Sequence, residues 1–552
     1  MNIYDKIYDS LGRQDYPAAS DYIRELEKYD EKEAARLGVS LYIEQGDSHK
    51  AMEAWQKLYA ILPLDFFTGF LHARILFMQG HYVSAYRDLT GLIVPRDKQR
   101  DYGEKIANLL GQCCRILGKT TEAAAAYKKA AALAADTYLQ ALEYSNYLFN
   151  LHYSGRHSAE FLRQSAAGFQ TVLGKIHPLP QRAGGGGECL RIGYLSPDFR
   201  RHVMLCFSYV LLTSYNREKF AVFVYMLSAE DAYSRHLQNQ VTGWRNLRGM
   251  SPLASAQVIY GDKIDILVDL AGHTRGNGLP IMAYKPAPVQ ISGIGYFAST
   301  GLKTMDYFLG DEYLDGRQGE FGQTEFTEEL LVLPHSHFCY TPLQECPLPS
   351  QSAFRRNGYV TFGSFNNFAK VTDEVLGVWA KILARVPAAH LLLKAAVFDG
   401  GETEEFTRRR LAAAGLPMER VGCRSITQDY LNEYGDMDIA LDTFPYPGGG
   451  TSCDALYMGR PLITLAGSRH GERFGLSLLM NLGLEELITY SQQEYIERAV
   501  TLALAPEILQ GLQLNLRSMM QKSPLMDSKG YMQAVETVYL HVGKNLRKGA
   551  KM

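Results

Sequence analysis

The residues of this chain whose types and spacing can do chemistry gather first around a glycine turn. Ile439-Ala-Leu441 is an apolar run, Pro445-Tyr-Pro447 follows, and then Gly448-Gly449-Gly450-Thr451-Ser452 leads into Cys453-Asp-Ala-Leu-Tyr-Met458. The apolar run reads as a buried strand, the prolines fix a turn that the glycines then free, and the last stretch reads as a helix with Thr451 or Ser452 as N-cap. Strand, glycine turn and helix start form an anion site, because unpaired N–H groups and the positive end of the helix dipole face a turn that phosphate can approach closely. Asp454, one turn into the helix, is placed to meet ribose hydroxyls. The same stretch also fits an ordinary glycine-rich connection. It is neither GxGxxG nor a P-loop, since no GK[ST] follows the glycines.

Two histidines follow predicted strands in the same way. His202 ends the loop Ser196-Pro-Asp-Phe-Arg-Arg-His202 after the strand 190–195, and His273 stands in Ala271-Gly-His-Thr-Arg275 after the strand 263–270. Ligands of open α/β sheets bind at the carboxyl ends of strands. A histidine there can be a hydrogen-bonded structural group, but two of them beside Arg200, Arg201 and Arg275 suit acceptor binding or proton transfer. Lys370 is a cation just before a helix, after the strand 360–362. Next to the glycine turn it would neutralise a diphosphate, and elsewhere it would be a solvated loop lysine. Tyr430 can stack on a base or simply pack. Asp436-Met-Asp438 has the D-x-D spelling of a metal-dependent transferase, but it abuts a buried strand and reads as strand-flanking.

A length of 552 residues allows two or three domains. Gly12, Gly46, Gly80 and Gly118 are spaced by 34, 34 and 38 residues, with Ala18, Ala51, Ala85 and Ala123 following at nearly the same offset. That period is the tetratricopeptide length: glycine turns one helix into the next and a small alanine lets the pair pack closely. Residues 1–175 are therefore expected to be a helical repeat array, which can bind a peptide or protein along a concave face or serve as a cap or dimer element. Residues 176–189, rich in Pro and Gly, read as a linker. Strands at 190–195, 220–225, 263–270 and 288–291 alternate with helices in a first α/β domain, 190–350, and strands at 360–362, 390–394, 439–441 and 461–465 do so in a second, 351–545. A helix from Ser528 to His541 is expected to return to the first domain, ahead of a frayed basic end at 544–551. A net charge of −2 gives no reason to expect nucleic acid. The start lacks the layout of a signal peptide and no run reaches a membrane span, so the cytoplasm is expected. Eight cysteines without a C-x-x-C pair are expected to be reduced, with neither zinc nor disulfide.

The pieces RIGYLSPDFRRH, DLAGHTRGN, PAPVQISGIGYFASTG with Met305-Asp-Tyr307, FGSFNNFAKV and DIALDTFPYPGGGTSCDALYMGRPLITLAG, in this order after a repeat array, resemble glycosyltransferase family 41. This is the family of protein O-linked N-acetylglucosamine transferases. The resemblance implies the GT-B architecture, two Rossmann-like domains with the donor nucleotide on the C-terminal one, and an inverting reaction that needs no metal or other cofactor. It implies UDP-sugar as donor, N-acetylglucosamine first, and Ser/Thr of a protein as acceptor, such as flagellin or another surface protein; a homo-oligomer is compatible with it. By position, Lys370 and its neighbour Asn367 match residues at the donor diphosphate. Gly449, Gly450, Thr451, Ser452 and Asp454 match the turn and helix start that hold phosphate and ribose, and His202 matches a disputed base. His273 lies where animal enzymes have tyrosine. Two departures stand out: PGGGT replaces a turn that carries a nucleotide-touching histidine, and Tyr430 and Glu433 replace histidine and arginine of the uridine pocket. The alternatives are N-glucosylation of Asn, or a repeat scaffold whose transferase domains are inactive.

Overall fold

The structure is a computed structural model that describes residues 2–63, 65–181, 189–317 and 323–549. The chain divides into two compact units, Met1–Glu143 with Val397–Arg410, and Tyr144–Ala396 with Leu411–Met552. Among the described residues no helix is long and apolar enough to cross a membrane.

The first unit is built from helix pairs: α1 (Ile3–Gly12) with α2 (Tyr16–Glu27), α3 (Glu31–Glu44) with α4 (Ser48–Ile61), α5 (Phe66–Met78) with α6 (Tyr82–Gly91), and α7 (Gln99–Ile116) with α8 (Thr120–Leu133). Aspartates start several of them: the side chains of Asp15, Asp30, Asp47 and Asp65 each accept a backbone N–H of the helix that follows. Gly46, Gly80 and Gly118 make the turns within pairs with φ of +76°, +80° and +76°, a left-handed conformation that glycine adopts without cost. The first pair differs from the expected pattern. Gly12 belongs to the helix itself, and Gln14, at φ +60°, makes the left-handed turn. Counted from that residue the register is uniform, since Ala19, Ala51, Ala85 and Ala123 each follow five residues later and each is fully buried; Ala18 is not the packing alanine.

A helix of the later sequence, Gly401–Ala413, contributes its first turns to this unit. The N-cap of α6, His81, makes no side-chain cap bond. Glu402 replaces it: its carboxylate accepts Ser84 N at 2.8 Å and Ser84 Oγ at 2.7 Å, while Thr403 Oγ1 donates to Gly80 O at 2.8 Å. A groove of about 510 Å³ crosses the repeats, lined by Phe70, Arg74, Phe77, Lys105, Asn108 and Gln112 among others.

The second unit takes the end of α9 (Thr137–Leu151), then α10 (Ala159–Val172), and two parallel sheets. The first sheet has the order β3-β2-β1-β4-β5-β6-β7, from β1 (Leu190–Ser196), β2 (Phe220–Met226), β3 (Gly243–Asn246), β4 (Ile266–Asp269), β5 (Val289–Gly293), β6 (Tyr307–Asp311) and β7 (Glu329–Leu333). The second has the order β10-β9-β8-β11-β12-β13, from β8 (Thr361–Ser364), β9 (His390–Lys394), β10 (Val421–Arg424), β11 (Ile439–Leu441), β12 (Leu462–Leu465) and β13 (Ile488–Thr489). Each order reverses once, between β1 and β4 and between β8 and β11, and these reversals are where doubly wound sheets open a crevice at their carboxyl edge. The architecture is a helical repeat array followed by a GT-B pair of Rossmann-like lobes. The structure adds β3, β6, β7, β10 and β13 to the strands expected from sequence, and β4 is shorter than the apolar stretch that contains it.

Residues 182–188 of the expected linker lie outside the described residues, while the part before them is tied to the first lobe through Leu179 N, which donates to Tyr284 O at 2.7 Å. The last helix, Ser528–Gly549, runs past Lys544, where a frayed end is expected, and residues 550–552 lie outside the described residues. It returns to the first lobe as expected: Asn216 N donates to Glu536 Oε1 at 2.7 Å, and Tyr539 OH lies 3.2 Å from Tyr194 OH.

Candidate active site

The site grows out of the two strand ends at the reversal of the second sheet. After β8, Asn367 caps the short turn Phe368–Lys370 by accepting Ala369 N at 3.1 Å; it is exposed. That turn aims Lys370 at the glycine turn after β11: Lys370 Nζ donates to Pro447 O at 2.8 Å and lies 3.8 Å from the centroid of the Tyr446 ring. Asp442, one residue beyond β11, is fully buried and accepts Gly448 N at 2.7 Å and Thr464 Oγ1 at 3.0 Å. Burial draws the Lys370 ammonium below its ordinary range and the Asp442 carboxyl above its own, and each charge works against the other's shift.

The helix after the turn, Gly450–Tyr457, has Gly449 as its N-cap and no side-chain cap bond. Neither Thr451 nor Ser452 caps it, because both stand inside the helix, past Gly449; Thr451 Oγ1 donates to Asn366 Oδ1 at 2.8 Å and Ser452 Oγ lies 3.5 Å from Asp442 Oδ1. Two of the glycines are required by crowding. A Cβ on Gly448 would stand 2.2 Å from Ser452 Oγ, and one on Gly450 2.2 Å from Val203 Cγ2 of the first lobe.

Beside this helix lies a cavity of about 440 Å³, and His202, Tyr430, Thr451 and Asp454 all line it, together with Arg201, Tyr340 and Lys394. Lys370 and Asn367, of the turn after β8, and Gly449, Gly450 and Ser452, at the glycine turn and helix start, are not among its walls. Asp454 is 4% exposed and accepts two phenols, Tyr340 OH at 2.6 Å on Oδ1 and Tyr430 OH at 3.0 Å on Oδ2. Burial pushes its carboxyl up to about 6 even against these bonds. Lys394 ends β9 and is buried, with Nζ donating to Ser425 O and Glu433 Oε1, both at 2.7 Å. Burial works to raise the Glu433 carboxyl, but the bonds from Lys394, Thr427 and Arg424 outweigh it and hold the group low. The departure at Glu433 thus has a partner, Lys394, in the same pocket.

The two histidines part company. His202 is 40% exposed in its side chain, with Nδ1 3.3 Å from Met204 N and 3.5 Å from Asp198 Oδ1. His273 is 2% exposed; its Nε2–H donates to Thr300 O at 3.0 Å and its Nδ1 accepts from Ser145 Oγ at 2.8 Å. Burial lowers its basicity to about 3, with the Thr300 bond acting the other way, and both ring nitrogens are engaged. The structure therefore brings His202 to the cavity and leaves His273 at the seam between α9 and the β4 loop. The D-x-D pair is structural: Asp438 accepts Phe354 N at 3.0 Å and Thr361 N at 2.9 Å, and Asp436 pairs with Arg356 and Arg424. Tyr340 and Lys394 are the residues that sequence reasoning missed as site groups. Tyr340 stands in a stretch without a motif, and Lys394 reads only as the polar end of a strand.

Comparison with known proteins bears on this geometry. A probable UDP-N-acetylglucosamine–peptide N-acetylglucosaminyltransferase SPINDLY from Solanum lycopersicum is 40% identical over 362 residues, 63% of this chain and 38% of that protein. Its counterpart from Arabidopsis thaliana is 39% identical over 372 residues, 65% of this chain and 40% of that protein. The chain thus spans about two fifths of the length of the curated relatives it matches. Among solved structures, an O-GlcNAc transferase variant of Thermobaculum terrenum superposes with a TM-score of 0.81 at 27% identity, covering 94% of this chain and 98% of that one. The sequence profile of glycosyl transferase family 41 matches residues 169–345 and 341–535. With both lobes matched, the chain belongs to glycosyl transferase family 41.

Proposed function

We propose that this chain is an inverting, metal-independent glycosyltransferase that moves a sugar, N-acetylglucosamine by the names its relatives carry, from UDP to Ser or Thr of a protein acceptor in the cytoplasm. The observation that carries the reading is the gathering of Lys370, the glycine turn and Asp454 beside one cavity that His202, from the other lobe, also lines. In this reading the UDP phosphates lie on the turn, the ribose meets Asp454, and Tyr430 forms a wall for the base. The acceptor hydroxyl attacks the anomeric carbon, the bond from that carbon to the UDP oxygen breaks, and the proton passes from the acceptor to a base. Lys370 and the N–H groups around Gly450 to Ser452 stabilise the charge growing on the leaving phosphate; one such preorganised donor is worth about 3 to 4 kcal/mol of barrier. They supply what a divalent ion would supply elsewhere, and Asp436 and Asp438 are committed to structural bonds. His202, which lines the cavity with a side chain 40% exposed, is the candidate base; Met204 N–H donates to its Nδ1 at 3.3 Å, and Asp198 Oδ1 lies 3.5 Å from the same nitrogen. His273 acts as a positioning group. The groove along the repeats serves to dock the acceptor chain, with aromatic side chains for its apolar residues and Asn108 and Gln112 for its backbone.

The test is a calorimetric titration of UDP into the full chain and into Lys370→Ala, with EDTA throughout. Loss of a charge-assisted contact of about 1.5 to 3 kcal/mol predicts weakening by ten- to more than a hundredfold. Equal affinities for the two proteins, or binding by the wild type only when a divalent ion is added, would remove this reading. Mass spectrometry of acceptor proteins co-expressed with the chain then identifies the sugar and the residue that receives it.

A further inference from the structure

The two phenols on Asp454 are not equivalent. Tyr340 is 2% exposed and makes the shorter bond, 2.6 Å against 3.0 Å for Tyr430. Its backbone is fixed on both sides: Tyr340 N donates to Leu525 O, and Thr341 N donates to Cys206 O, each at 2.7 Å. Its ring packs against Phe207 of the first lobe at 6.1 Å and Tyr457 of the donor helix at 5.8 Å. Tyr430 is only half-buried and opens a four-residue helix, Tyr430–Glu433, whose N-cap Asp429 makes no side-chain cap bond. It lines the cavity next to Ile426, a side chain that is 66% exposed.

A buried carboxylate must keep its hydrogen bonds, and an entering hydroxyl can take one only by displacing a donor already there. Displacing Tyr340 would strand a phenol in a closed, aromatic site. Displacing Tyr430 exchanges one O–H donor for another and lets the freed phenol turn to solvent. We propose that Tyr340 is a positioning residue of the donor site: its hydroxyl locks Oδ1 of Asp454 so that Oδ2, now bonded to Tyr430, is the atom handed to the ribose when a nucleoside diphosphate enters. Tyr340 stands in the stretch that leaves β7, so this bond also joins the end of the first lobe to the donor helix of the second. The inference rests on the reading of this cavity as the donor site. The Tyr340 phenol, raised by burial and by the Asp454 charge, stays protonated and remains a donor at any working pH.

The experiment is calorimetry with UDP and with 2′,3′-dideoxy-UDP, in EDTA, on the full chain and on Tyr340→Phe and Tyr430→Phe, at pH 6, 7 and 8. Wild type is expected to prefer UDP. Tyr340→Phe is expected to lose ~10-fold in affinity for UDP at pH 7 and much less for the dideoxy ligand. That loss deepens towards pH 6, because a carboxylate that has lost one donor takes up its proton at higher pH. A merely structural role would weaken both ligands alike at every pH. Tyr430→Phe removes the competing donor and is expected to tighten UDP. It probes the same asymmetry in a protein whose buried Tyr340 is intact. An unchanged ligand preference in Tyr340→Phe at all three pH values overturns the proposal while leaving the donor site standing, as does weaker UDP binding by Tyr430→Phe. Failure of the wild type to bind UDP at all overturns the donor site and this inference with it.

Discussion

Lys394 tests how the pocket holds its charges. Its ammonium is 3% exposed and answers Glu433, which Arg424 also holds at 3.2 Å. Removing one partner of a buried pair leaves the other uncompensated, at a cost of about 3 to 5 kcal/mol, whereas replacing both with apolar groups is often close to neutral. Glu433→Leu, which leaves the buried Lys394 ammonium without its carboxylate, is therefore expected to lower the urea midpoint clearly, and Lys394→Met added to it to recover much of the loss. A double variant that loses the sum of both single effects would mean that the two residues do not act as a pair. At this scale the sequence was a fair guide to types and a poor one to roles. Asp454 announces itself by following a glycine turn, whereas Lys370 reads only as a cation after a strand, and it is the structure that sets it against that turn. His202 and His273 look alike in sequence, each in a loop after a strand, and what separates them is Ser145, a residue far away in the chain that takes the second nitrogen of His273.

At the scale of elements, one tightly confined contact is between α10 and the first lobe. Gly301 has φ +71°, and a Cβ there would stand 1.8 Å from the backbone oxygen of Ala166 in α10. Backbone cannot give way as a side-chain tip can, so Gly301→Ala must push α10 off the lobe as well as strain its own turn. Overpacking of this kind costs about 1 to 3 kcal/mol or more. The expected result is a lower melting temperature together with faster hydrogen exchange in α10; normal exchange there would show that the helix is held by other contacts. The helix pairs were legible because turn glycines and small alanines recur at nearly regular spacing. The slip in the first pair, Gly12 read for Gln14, arose because glycine is the usual left-handed residue and glutamine an unusual one. The strands with long apolar runs were legible too. β3 is a partly exposed edge and β13 is two residues long, so their pairing depends on neighbours that local sequence does not reveal.

At the scale of the molecule, histidines that the fold holds neutral tie folding to pH. His273 takes up a proton in the folded chain only near pH 3, against about 6.5 when unfolded, and His152 behaves in the same way. Between those values the unfolded chain binds more protons, so the stability that each supplies is whole above pH 6.5 and is lost as the pH falls through the window. Asp442, Asp454 and Glu325, whose carboxyls burial raises, act in the opposite sense over part of that range. A single-residue comparison isolates the effect. The stability advantage of wild type over His273→Gln is expected to shrink by about 1.4 kcal/mol between pH 7.5 and 5.5, measured by urea denaturation. A constant difference would mean that His273 is not held neutral.

The sequence by itself determined the order of the parts: paired helices, then two α/β lobes, and a glycine turn with a lysine and an aspartate at the carboxyl edge of the second. These are local matters, fixed by periodicity, by turn residues and by the few backbone shapes that proline and glycine impose. The tertiary structure decided which of those residues share a cavity. Tyr340 reaches Asp454 across 114 positions and Glu402 caps a helix 318 positions earlier in the chain. Such contacts leave no local trace, because a hydrogen bond requires only that two groups meet in space, and the chain distance between them is set by the packing of everything in between.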